Sequence, residues 1–127
     1  MRRDLLVLRE ILLAVEAADG PFDLTDGRLE AHDFADLAHH AELLIEAGLL
    51  KGEVVYSDSL GVPVYVRIIR LTWPGHEFVA LARDERLWRQ ALAACPEGPD
   101  SLTFEMLSEL LVEAGRNRLT GAKLRVH

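Results

Sequence analysis

The sequence predicts an α+β fold in which a two-stranded hairpin is set between helices, with additional helices toward the C-terminus. Three observations predict it. Apolar residues recur at helical spacing near the N-terminus and again after Asp33, and residues 62–71 form an alternating run rich in Val, Ile and Tyr. Two short glycine-containing segments, residues 46–50 and 71–75, bracket the hairpin.

Residues 3–18 read as a helix, with Leu5, Leu8, Leu12 and Val15 on one stripe and Val7, Ile11 and Ala14 widening it. So broad an apolar surface implies a central helix, and Asp19, Gly20 and Pro21 end it. Residues 22–32 carry two Asp, one Gly and little apolar pattern, which predicts a turn-rich connector with a short extended piece at 28–31. From Asp33, a candidate N-cap, the spacing of Phe34, Leu37, Ala38, Ala41, Leu44 and Ile45 predicts a second helix closed by Gly48.

Residues 54–56 and 62–71, joined through Ser57, Asp58, Ser59, Leu60 and Gly61, read as the hairpin. Its second strand alternates, with Val64, Val66 and Ile68 on one face and Tyr65, Arg67 and Ile69 on the other. Thr72 is placed to cap a third helix, and Pro74 is tolerated in its first turn, where N–H groups have no helical partner. That helix is expected to run to Cys95 as one piece packed on the domain. A last amphipathic helix, capped by Thr103 or Ser101, turns Phe104, Leu107, Leu110 and Leu111 inward.

With 127 residues there is room for one core, and residues 1–115 are expected to form a single domain including the C-terminal helices. Residues 116–127, with Arg116, Arg118, Lys123 and Arg125, are expected to be a basic, flexible tail. The chain has 50% hydrophobic and 28% charged residues, a globular balance without a bilayer-spanning run. One cysteine, Cys95, excludes an internal disulfide and a cysteine-based zinc framework. No membrane contact is expected, and with no signal-peptide pattern the expected location is cytoplasmic.

Each bracketing segment has a physical reason. Glu46, Ala47, Gly48, Leu49 and Leu50 stop a helix and send leucine into the core. Leu71, Thr72, Trp73, Pro74 and Gly75 end a strand, cap a helix and keep a glycine where backbones pack closely. This order of elements is that of a winged helix-turn-helix-like domain with a two-stranded wing. Residues 11–16, His40 with residues 43–49, and residues 71–78 further resemble the family of uncharacterised bacterial and phage proteins called domain of unknown function 2513. Trp88 and residues 102–104 are also similar, so the resemblance covers the chain to about Gly115. It implies a winged-helix-like fold and a phage-related context, and no established activity.

The architecture raises DNA binding first, because a helix-turn-helix places its recognition helix in the major groove. Here that helix carries Asp33, Asp36, Glu42 and Glu46 and no Lys or Arg, within a chain of net charge −7. Close approach to phosphates would be repulsive, and a binder of nucleic acid draws affinity from displaced counterions. A protein partner is therefore favoured, with DNA binding as the alternative through Arg2, Arg3, Arg67, Arg70 and the basic tail. The candidate partner-facing residues are Asp36, His39, His40, Tyr56, Asp58, Arg67 and Arg70.

His39 and His40 suggest a metal only weakly, since neighbouring helical side chains diverge by about 100°. Internal hydrogen bonding is the favoured role of His40. Cys95 reads as a buried structural thiol, and no phosphate loop, nucleophile elbow or metal-ligand spacing occurs. No catalytic residue, metal or cofactor is expected. Trp73, Trp88 and Phe104 are expected to pack together as ordinary core, and the alternative use of the last helices' apolar stripes, a homodimer, is compatible with that packing.

Overall fold

The computed structural model describes residues 2–24, 29, 31–95, 97–98 and 101–125. Among these the fold is α+β, with five helices and a small antiparallel sheet of three strands. Helix α1 is Leu5–Ala17, strand β1 is Phe22–Asp23, and helix α2 is Phe34–Glu46. Strands β2 (Leu50–Tyr56) and β3 (Pro63–Leu71) form the hairpin, followed by α3 (Trp73–Ala82), α4 (Glu85–Ala93) and α5 (Phe104–Arg125). The chain divides into two compact units, residues 1–79 and 80–127.

In the first unit α1 is the central helix. Leu5, Val7, Leu8, Ile11, Leu12 and Val15 are all buried, and the helix packs on α2 and β3. Asp4 caps its start, its carboxylate accepting from Leu6 N at 2.9 Å. Asp33 stands at the N-cap of α2 as expected but makes no side-chain cap bond. Gly48 closes α2 with φ +79°, a left-handed conformation that costs glycine little.

The sheet order is β1-β3-β2, so the long strand β3 is central. Val66 and Ile68 turn inward and are buried, while Arg67 between them is exposed. Two features depart from the sequence expectation. The connector contributes β1, whose Phe22 and Asp23 pair with Ile68 and Arg67, whereas the extended piece expected at 28–31 falls largely outside the described residues. β2 also begins earlier than expected, at Leu50, because the central strand supplies partners for Leu50, Lys51, Gly52 and Glu53 despite their low strand propensity.

The hairpin is clasped to the helix start that follows it. Thr72 donates through Oγ1 to the Gly48 carbonyl at 2.5 Å and accepts from Gly75 N at 3.1 Å. Thr72 N donates to the Leu49 carbonyl at 3.0 Å. One threonine thus joins the end of α2 to the start of α3.

In the second unit the long helix expected through residue 95 is broken. Asp84 accepts from Arg86 N at 2.9 Å and Leu87 N at 3.2 Å, starting α4 as a separate helix. An N-cap competes with helix continuation because its carboxylate satisfies amides that would otherwise bond to the preceding turn. Thr103 caps α5, accepting from Met106 N at 3.0 Å. α5 packs on α4 with Leu107, Leu111 and Ala114 buried, and it continues past Gly115 to Arg125, where a tail was expected to begin. Trp73, expected to pack with Trp88 and Phe104, is 76% exposed, and Trp88 is buried. Cys95 is half-buried, its sulfur 3.2 Å from Ser101 Oγ.

Candidate partner-binding surface

The outward stripe of α2 runs through Ala35, His39, Glu42 and Glu46, positions three and four apart that lie over one another on a helix. Its opposite stripe, Leu37, Ala38, Ala41 and Leu44, is buried. Burial of one stripe therefore obliges the acidic stripe to face outward. From Leu29 to Leu50 the chain has five carboxylates and no Lys or Arg.

Tyr56, at the end of β2, joins this stripe. Its hydroxyl donates to Glu42 Oε2 at 2.5 Å, fixing the base of the hairpin loop on the outward face of α2. That hydrogen bond holds the phenol above the usual tyrosine range, with lost hydration and the negative charges of Glu42 and Glu46 acting in the same direction. Beyond Tyr56 the hairpin tip carries exposed Asp58, Leu60, Val62 and Val64, Leu60 being 76% exposed. The result is an apolar projection beside an acidic helix face.

Because the Tyr56–Glu42 bond favours the protonated phenol, its contribution is complete below the ordinary tyrosine range and is lost as pH rises through the raised value. In a Tyr65→Phe background, an alkaline absorbance titration is expected to show Tyr56 ionising above the ordinary value of about 10. Glu42→Gln is expected to bring it back down. Identical titrations with and without the Glu42 charge would show that the contact does not form.

The remaining sequence candidates separate into different places. His40 was proposed as partner-facing and this is corrected: it is 0% exposed. Its Nε2 accepts from Asp4 N at 2.9 Å, which requires that nitrogen to be unprotonated, and its Nδ1 lies 2.8 Å from the Asp36 carbonyl. Nδ1 therefore carries the proton and donates to that carbonyl. Both nitrogens are engaged, which leaves His40 to tie the start of α1 to α2 and no lone pair for a metal. His39 is half-buried, its ring edge-on to His40 at 5.3 Å. Asp36 is half-buried with its carboxylate 3.3 Å from His40 Nδ1, so it serves the interior as much as the surface.

Arg67 and Arg70 point away from the buried face of the sheet. Arg67 is paired across β3 with Asp23 of β1 and with Glu53 of β2. Directly opposed residues share a face, so this cation sits between two carboxylates and its field is largely cancelled. Arg70 is opposite Lys51, and its guanidinium donates to the Leu71 carbonyl at 3.0 Å. Sequence reasoning missed Glu42 as the anchor of Tyr56 and missed Asp23 and Glu53 beside Arg67. Those neighbours are separated along the chain, and only strand register or helix packing reveals them.

Among the described residues no group of three His, Cys, Asp or Glu is arranged to hold a metal ion, and no helix is long and apolar enough to cross a membrane. The family described as "Hypothetical protein (DUF2513)" matches residues 2–99. The chain is also similar to an uncharacterised protein of Haemophilus influenzae, 29% identical over 89 residues that cover 69% of this chain and 73% of the relative. No solved structure matches the chain.

Proposed function

The chain belongs to the Hypothetical protein (DUF2513) family, and from that premise we propose a non-enzymatic, winged-helix protein of bacterial or phage origin that binds a protein in the cytoplasm. The order α1, β1, α2, β2, β3, α3 and the sheet order β1-β3-β2 support the winged-helix reading of the first unit. In that reading α2 occupies the place of the recognition helix and the β2–β3 hairpin is the wing.

One observation carries the choice of partner. The outward face of α2 presents Glu42 and Glu46, and Tyr56 fastens the wing to that same face through Glu42. A phosphate backbone brought against it would meet like charge at close range, whereas a protein surface supplies cations and apolar groups. A non-enzymatic role accords with His40, the buried titratable side chain among the described residues, having both ring nitrogens committed to holding helices together.

A second reading, a DNA-binding regulator, draws on the opposed basic pair Lys51 and Arg70 on the outer face of the sheet. The two readings separate in one experiment. Protein captured from nuclease-treated extract of the source cells should be retained by the wild-type chain and lost with Glu42→Lys and Glu46→Lys. Mixed-sequence duplex DNA should bind no tighter than the nonspecific range of about 10⁻⁴–10⁻⁶ M at physiological salt. Submicromolar duplex binding, weakened steeply by salt and abolished by neutralising Lys51 and Arg70, would replace the protein reading with the DNA one.

A further inference from the structure

α5 buries one side and leaves another open. Leu107, Leu111 and Ala114 face the interior of the second unit, while an open face is lined by Glu105, Ser108, Glu109, Val112, Glu113 and Arg116. Along it, Glu105, Glu109, Val112, Arg116 and Leu119 are spaced four, three, four and three residues apart, a repeat that keeps one stripe facing a neighbouring helix. Val112 is 39% exposed and Leu119 is 65% exposed. The charges are segregated, with Glu105, Glu109 and Glu113 in the N-terminal half and Arg116 following them.

From this stripe we infer that α5 pairs with α5 of a second copy of the chain, antiparallel, about a two-fold axis near Val112. A two-fold interface must be complementary to itself, so each contact occurs twice or lies on the axis. Antiparallel packing sets Val112 against Val112 of the second copy and places Glu109 of each copy opposite Arg116 of the other. Leu119 is covered beside the methylene stem of Glu105. Parallel packing fails on charge, because it would oppose Glu109 to Glu109 and Arg116 to Arg116. Arg118 is outside this interface, since its guanidinium is paired with Asp84 of its own unit.

Sedimentation velocity on the full chain, over a concentration series reaching about 100 µM, tests the pairing. The expected result is a monomer–dimer equilibrium that weakens with added salt, because ion pairs at an exposed interface are screened. Glu109→Arg alone and Arg116→Glu alone each replace two attractive contacts by two repulsive ones, and each should weaken association by about tenfold or more. The double reversal restores complementarity and should recover the dimer. Both positions are exposed, and far-ultraviolet circular dichroism checks that the helices persist. A wild-type chain that stays monomeric throughout the series would overturn the proposal. So would single reversals without effect, or a double reversal no better than the singles.

Discussion

Replacing Gly75 with alanine is expected to destabilise the first unit by about 3 kcal/mol, the upper part of the range for overpacking a close contact. A Cβ built at Gly75 collides with the Leu49 carbonyl oxygen and comes within 3.3 Å of Leu71 Cδ2. Side chains relieve such crowding by changing rotamer, but here the nearest atom is backbone. That carbonyl is held in place by Thr72 N at 3.0 Å, so relief requires the start of α3 to move off the end of α2. In a thermal melt the loss corresponds to roughly 10–20 °C. Gly20→Ala is the control, since nothing lies within 4 Å of a Cβ there and it should melt close to wild type. Equal melting of the two variants would show that the close approach of α3 to Leu49 is not a feature of the folded chain.

His40→Ala should have a comparable effect, about 3–4 kcal/mol, from a cavity in the core and from lost hydrogen bonds. The imidazole is fully buried, and its removal leaves the part-buried Asp4 N–H without its acceptor. Asp4 also caps α1, so the start of the central helix loosens with it. His40→Gln, which retains an acceptor of similar reach, should fall between alanine and wild type. Urea unfolding checks the order, with the midpoint moving and the slope unchanged if the folded state keeps its extent. A change below about 1 kcal/mol for alanine would return His40 to the surface as a partner-facing residue.

These two positions also show where sequence reasoning reaches its limit. Gly75 was legible as a glycine needed for close packing, because it follows a strand end and a threonine cap. The atom it avoids, a carbonyl 26 positions earlier in the chain, was not. His40 was legible as a polar residue on an otherwise apolar helix stripe, which fits burial and exposure alike until its partner is known. That partner is the backbone amide of Asp4, in a different element. The same reason separates Arg67 from its expected role. Read along the chain it is a free cation on a wing, and read across the sheet it lies between Asp23 and Glu53.

Periodicity, caps and glycine placement in the sequence alone determined that α1 and α2 are helices, that a hairpin lies between Gly48 and Thr72, and that the outward face of α2 is acidic. These are local properties, set by spacings of two to four residues and by the hydrogen bonds a terminus needs. Tertiary structure decided what depends on distant partners: the strand at Phe22–Asp23, the early start of β2, the burial of His40 and the seat of Tyr56 on Glu42. Each arises from an unsatisfied group meeting its complement across the fold, and a one-dimensional pattern holds no record of which complement will be near.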